Sequence, residues 1–224
     1  LADKICVPSR LAARSFYNRG FNESKIIINP LAVGDSWFKG NPINKVKNDR
    51  PRIIFAGGVG IRKGVPWLLR AFHKLSKKAD LYLYGYVEKS FESTLHKLAG
   101  SAVRVCGPIS AKNLAIEYRK ADIFCLPSIE EGFGLSVLQA MASGLPVVIT
   151  ENVGASDIIK NGLDGFIVPP FNEHALRDSL EFLIDDHNQR LKMGKAAFKN
   201  VSNSCTLDNY ITRSINTYNR VISD

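Results

Sequence analysis

A doubly wound α/β fold follows from three observations. From Pro51 onward, short β-branched runs alternate with segments of helical length. The runs are apolar nearly throughout, as strands covered on both faces of a parallel sheet are. Several of them end in glycine or proline, the punctuation of a strand running into a loop. Together they predict a Rossmann-like parallel sheet with helices on both faces, which binds ligands beyond the carboxyl ends of its strands.

Taken in order, KICVP (4–8) and KIIINP (25–30) flank a helical stretch capped by Ser9. This strand–helix–strand unit, residues 1–38, is expected to be the tail end of a preceding N-terminal domain. The sequence opens at Leu1 on residues that read as the interior of a fold, so a piece of a longer protein is expected. KGNPINKVKNDR (39–50) is polar and contains proline, which predicts a linker. Residues 51–204 form the main domain, with strands at IIFAG (53–57), LYLYG (81–85), VRVCG (103–107), IFCLPS (123–128), PVVIT (146–150) and GFIVPP (165–170). In residues 205–224, Leu207, Tyr210, Ile211, Ile215, Tyr218, Val221 and Ile222 recur at helical spacing. That amphipathic helix needs a partner surface. It is expected to pack toward the missing N-terminal domain, and without that domain its apolar face should make the chain self-associate.

The composition bounds the function. A chain of 224 residues, 45% of them hydrophobic, can bury a substantial core. Its net charge of +9 favours anionic partners: phosphates, nucleic acid or a membrane surface. The basic residues are dispersed without an aromatic-rich face, which argues against nucleic acid. No apolar run reaches the length of a membrane span and no signal pattern opens the sequence. A soluble, cytoplasmic protein is therefore expected, with peripheral association at the inner face of a membrane left open. Cys6, Cys106, Cys125 and Cys205 are scattered singly, which reads as buried thiols in a reducing compartment. His73, His96, His174 and His187 lack metal-ligand spacing, so no metal and no cofactor is expected.

The chemistry concentrates in PSIEEGFGLSVLQAMASGLPVVIT (127–150). There a strand ends in Pro-Ser and a helix starts directly after Gly132, Phe133 and Gly134. Two glycines around one aromatic permit a tight turn that exposes amides at the helix start, where the dipole favours a phosphate. Glu131 sits on the rim of that loop and Gln139 about one turn into the helix, so both can reach one extended ligand. After the first strand of the main domain, Gly57, Gly58 and Gly60 are a weak signal alone; Lys63 following them gives them value. A cation at a helix start is disfavoured unless it faces an anion.

The run from Glu131 resembles the signature of the retaining glycosyltransferases of family 4, a GT-B type family built of two Rossmann-like domains. That signature is Glu-Gly-Phe-Gly, four variable residues, then Glu-Ala-Met-Ala. Here Gln139 replaces the second glutamate ahead of Ala140, Met141 and Ala142. FAGGVGIRKGVPWLLRAF (55–72) is similar to the family's glycine-loop segment, in which an arginine and a lysine bind the donor diphosphate. Lys63 matches the lysine, and the arginine position falls on Gly58, so that contact is either absent or supplied by Arg62. NVGASDIIKNGLDGFIVPP (152–170) looks like the following segment, with Asp157 where glutamate is commoner. The front of the chain resembles the last unit of the N-terminal domain, with Ala32 where glycine is usual.

The resemblance implies the donor-binding domain of a metal-independent hexosyltransferase that uses a nucleoside-diphosphate sugar such as a UDP- or GDP-sugar. A saccharide or lipid-linked acceptor and a place in polysaccharide biosynthesis go with it. Lys63, with Arg62, offsets charge on the leaving diphosphate, and Glu131 orients the hexose. Amides at Gly134 and Leu135 with the Ser136 hydroxyl complete the cradle, Gln139 takes the ribose, and the backbone at Gly107, Pro108 and Ile109 faces the base. Isolated, the chain should bind donor and transfer little. Two alternatives share the fold: a non-catalytic nucleotide-sugar-binding module, and a dinucleotide-dependent oxidoreductase domain. The second lacks both a Gly-x-Gly-x-x-Gly opening a helix and an acid at the tip of LYLYG.

Overall fold

The computed structural model describes residues 2–38 and 48–223. Its main sheet has six strands, in chain order β3 (Arg52–Ala56), β4 (Asp80–Tyr84), β5 (Val103–Gly107), β6 (Ile123–Leu126), β7 (Val147–Thr150) and β8 (Gly165–Val168). They lie in the order β5-β4-β3-β6-β7-β8, with every neighbouring pair parallel. The crossovers carry α2 (Val65–His73), α3 (Glu92–Leu98), α4 (Ala111–Lys120) and α5 (Leu135–Ala142), and α6 (Glu173–Asp185) and α7 (His187–Ser204) follow the last strand. Because the chain first winds outward from β3 to β5 and then restarts at β6, the order reverses between β3 and β6. The loops leaving those two strands diverge onto opposite faces and leave a crevice.

Every residue of β6 and β7 is buried, which is why those runs carry no polar alternation. Strand β5 lies at the sheet edge and exposes Arg104, Val105 and Cys106. The expectation of uniformly buried thiols therefore fails at Cys106. It fails also at Cys6, which is exposed on β1 (Ile5–Val7), one of only two strands in its own sheet. Cys125 and Cys205 are buried, and burial pushes both thiols up.

The leading unit consists of β1, α1 (Arg10–Tyr17) and β2 (Ile26–Ile28), with β1 and β2 parallel. It is tied to the main domain at several points. The Ser9 hydroxyl accepts from the Ala12 amide at 3.0 Å, capping α1, and donates to the Gly132 carbonyl at 2.6 Å. The Arg10 amide donates to the Asp157 carboxylate at 2.6 Å, and the Val33 amide to the Cys205 carbonyl at 2.9 Å. The last helix, α8 (Leu207–Ser223), uses Arg213 to grip Asn29, Pro30 and Ser204. Its Leu207, Ile211, Ile215, Tyr218 and Ile222 form one exposed stripe, as the spacing predicts, whereas Tyr210 is half-buried.

Most of the predicted linker, residues 39–47, lies outside the described residues. Just after it, Asn48 donates to the Lys120 carbonyl and the Asp122 carboxylate, and Arg50 donates to carbonyls of Ser76, Lys77 and Ala79.

The reversal point is held by a close backbone approach. Gly64, the N-cap of α2, has φ +72°, and a Cβ there would lie 1.8 Å from the Pro127 carbonyl oxygen beyond β6. A side chain meets both a left-handed backbone and a carbonyl that cannot retreat. Gly64→Ala should therefore lower stability by about 2 kcal/mol or more in urea unfolding. An unchanged midpoint would mean that the two loops do not touch.

Candidate functional site

Two loops leave the reversal point, 57–64 after β3 and 127–134 after β6, and they are stitched together. The Ile129 amide donates to the Arg62 carbonyl at 2.9 Å, and the Arg62 guanidinium donates to the Glu130 carbonyl at 3.1 Å. From the other side, residues 152–155 clamp the second loop. The Glu131 amide donates to the Asn152 carbonyl, while the Glu131 and Phe133 carbonyls accept from the Gly154 and Ala155 amides. The Ser9 hydroxyl takes the Gly132 carbonyl between them. With three successive carbonyls turned to that side and occupied, the loop presents α5 from a fixed base.

Gly134 is the N-cap of α5, at φ +90°, and no side chain caps this helix. Val153 packs where a Cβ would project, at 2.9 Å, so glycine is required by both space and backbone. The amides of the first turn, at Leu135 and Ser136, have no intrahelical partner, and the helix dipole adds positive potential there. An anion-accepting helix start thus opens directly beside Glu131 and Lys63.

Lys63 and Glu131 form an ion pair across the two loops, with side chains only 13% and 18% exposed. The Lys63 stem lies against Gly57, and the Glu131 stem lies against Gly134. Burial, and then the adjacent Arg62 charge, pull the Lys63 ammonium down to about 8. The Glu131 carboxylate lies directly against that ammonium. The anion that Lys63 needs at a helix start is therefore supplied by the chain itself.

Next to this pair is a cavity of about 240 Å³, open at the carboxyl ends of β3, β4 and β5. Its walls include Ala56, Gly57, Pro108, Ile109, Leu114 and Ser136, and Tyr84 and Gly85 close it. The Tyr84 hydroxyl donates to the Glu117 carboxylate at 3.0 Å, and Glu117 also pairs with Arg52 and Lys120. That network fixes the Tyr84 ring as a wall; burial, and then the bond to Glu117, push its hydroxyl far above the ordinary tyrosine range. Gln139 is half-buried one turn beyond Ser136, on the face of α5 that the core leaves open.

The residues singled out in the sequence separate accordingly. Gly57, Pro108, Ile109 and Ser136 line one cavity, with Gly107 at its edge on β5; Lys63, paired with Glu131, reaches it at Gly57, and Gly132, Gly134 and Leu135 belong to the loop and helix start that carry Glu131 and Ser136. Phe133 is 4% exposed and sits in the hydrophobic core, so it anchors the loop and does not face a ligand. Lys63, expected to face an anion, lies largely buried against the Glu131 carboxylate. At Gly58 no side chain reaches the site, and Arg62 stays exposed on the rim, engaged with the Glu130 carbonyl. Tyr84, Gly85, Ala56 and Leu114 were missed, although the glycine ending LYLYG marked that edge. Glu88 was missed as well, and its carboxylate fills the space beside Gly60 where a side chain would project. Among the described residues, no three His, Cys, Asp or Glu side chains gather as a metal site. No described helix is long and apolar enough to cross a membrane.

Strand order defines a Rossmann-type α/β domain with a candidate ligand site at the reversal point. The chain belongs to the family Glycosyl transferases group 1, whose pattern it matches over residues 39–200. It is 34% identical over 216 residues to a D-inositol 3-phosphate glycosyltransferase of Pseudarthrobacter chlorophenolicus, covering 89% of this chain and 51% of that protein. It is 29% identical over 178 residues to an uncharacterized glycosyltransferase of Methanocaldococcus jannaschii, covering 77% of this chain and 46% of the relative. The chain thus spans about half the length of these curated relatives.

Among solved structures, sucrose-phosphate synthase of Thermosynechococcus elongatus superposes with a TM-score of 0.86 at 22% identity, over all of this chain and 59% of the other. Anabaena HepE in complex with UDP-glucose superposes at 0.85 and 17% identity, over 98% and 64%. These likenesses show the GT-B type fold of the half that the chain represents.

Ser9 couples the leading unit to the ligand loop through one hydroxyl. Ser9→Ala removes a helix cap and frees the Gly132 carbonyl, and should cost roughly 1 to 2 kcal/mol. Faster amide hydrogen exchange at residues 131–136 should accompany the loss; unchanged exchange there would show that the clamp from 152–155 alone fixes the loop.

Proposed function

We propose that this chain is the donor-binding half of a glycosyltransferase that moves a hexosyl group, with retention, from a nucleoside-diphosphate sugar to a saccharide or lipid-linked acceptor. The observation that carries the reading is the juxtaposition of a buried lysine, an uncapped helix start and an apolar-walled cavity at one reversal point. A base fits the cavity beside Pro108 and Ile109, and Gln139 reaches the ribose. The diphosphate is placed between Lys63 and the amides of Leu135 and Ser136. Charge accumulates on the diphosphate as the sugar departs, and a fixed cation with oriented amides in a partly dry site stabilises that charge more than water does. The proposal assigns this task to protein groups, with no metal or cofactor. Glu131 adjoins the end of the diphosphate and is assigned to the hexose hydroxyls.

Support comes from the family itself, from the sugar-transferring relatives and from the likeness to HepE, whose structure was determined with UDP-glucose. The acceptor site belongs to the part of the relatives that this chain does not span, and the proposed location is the cytoplasm. A non-catalytic binding module is the second reading. It is favoured by Gly58 and Gln139, which remove a cation and a carboxylate, and by Glu88, which adds negative charge near the vacated position. Sugar turnover by a protein that joins this chain to its N-terminal half separates the two.

Thermal unfolding with UDP, GDP, ADP and NAD tests the class. A nucleoside diphosphate should stabilise by about 2.7 kcal/mol at a hundredfold excess over its Kd, and NAD should not. Stabilisation by NAD alone would refute the proposal. Lys63→Ala should weaken the diphosphate by roughly 1.5 to 3 kcal/mol in calorimetric titration.

The pH dependence has a definite sign. The protonated lysine is the binding form, so affinity should be level near pH 7 and fall as pH rises through about 8. In Lys63→Ala that fall should vanish; its persistence would place the titrating group elsewhere.

A further inference from the structure

The Glu131 carboxylate holds the Lys63 ammonium that the proposed function assigns to the diphosphate. We propose that Glu131 is the resident counter-ion of the empty donor site: its carboxylate holds Lys63 until the donor diphosphate displaces it, and the displaced carboxylate is then free for the sugar. The inference rests on the donor-site reading given above and adds to it an order of events.

Three features of the geometry carry it. The Glu131 backbone is immobilised on both sides, its amide on the Asn152 carbonyl and its carbonyl on the Gly154 amide, so only the side chain can change partner. Both side chains are largely withdrawn from water, and neither charge can be left alone there without a large desolvation cost. The lysine must therefore exchange one anion for another. The hydrogen-bond donors to the incoming phosphate, the first amides of α5, lie one residue beyond Gly134, against which the Glu131 stem rests. Other charges near the pair include Arg62, whose guanidinium donates to the Glu130 carbonyl, the adjoining Glu130 side chain, which is exposed, and the Glu88 carboxylate beside Gly60. Arg62 adds a like charge to Lys63 and disfavours an unpaired ammonium.

An exchange of this kind makes Glu131 a competitor for a ligand that has a diphosphate and no sugar. Removing the competing charge should tighten such a ligand, the opposite of what damage to a binding site does. It also makes the two residues non-additive, because Glu131 competes only through Lys63.

The test is calorimetric titration of the chain with UDP, GDP and ADP at pH 7, using wild type, Glu131→Gln, Lys63→Met and the double variant, with Glu131→Ala as a second neutral replacement should Glu131→Gln not fold. The nucleotide that binds wild type best is expected to bind Glu131→Gln roughly three- to tenfold more tightly. Lys63→Met should weaken it tenfold or more, and the double variant should equal Lys63→Met. If wild type binds and the neutral variant binds equally or more weakly, Glu131 is not the resident counter-ion, while the donor site stands. A gain that persists beside Lys63→Met would likewise overturn the exchange. If none of the three nucleotides binds either protein, the donor-site reading fails and takes this inference with it.

Discussion

Gly64 rests against the carbonyl of Pro127, and the rest of the ligand edge follows from that approach. It brings the loop leaving β3 within hydrogen-bonding distance of the loop leaving β6, so that Arg62 and Ile129 pair and Lys63 projects toward Glu131. Any side chain at residue 64 would hold the two loops apart. The parallel sheet creates the crevice by reversing its winding direction, and this contact sets its width.

The electrostatics of the crevice follow from its packing. A lysine just ahead of a helix faces the positive end of a dipole and, here, a neighbouring arginine. Burial adds to that cost. Glu131 offsets it from a loop that three carbonyl contacts and the Ser9 hydroxyl hold still. The Lys63 charge is thus met by Glu131, with the Glu88 carboxylate close by at Gly60, which suits the proposed exchange of one anion for another.

The sheet was readable from the sequence because a strand buried on both faces leaves an unmistakable apolar run, and β3, β4, β6, β7 and β8 each left one. Lys63, Glu131 and the helix start at Gly134 were readable because glycines bracket them. Long-range relations were not. Nothing in the run FAGGVGIRKG places Glu88 beside Gly60, since that depends on how the loop after β4 folds back over the loop after β3, through the bridge between Val59 and Val87. The pairing of Lys63 with Glu131 joins residues far apart in sequence, so the pattern says that the lysine faces an anion and not which one. Phe133 lies inside a ligand-like motif, and only its packing reveals that its ring serves the core. Cys6 and Cys106 sit in apolar runs whose strands prove to lie at edges, and sequence pattern alone does not tell an edge from a centre.

The central claim is that the crevice between β3 and β6 holds a nucleoside diphosphate, and a crystal structure of the chain with UDP tests it most directly. The account predicts the diphosphate between the Lys63 ammonium and the amides of Leu135 and Ser136, with the base against Pro108 and Ile109 and the lysine withdrawn from Glu131. UDP ordered elsewhere on the molecule, with Lys63 and Glu131 still paired and the cavity empty, would contradict it.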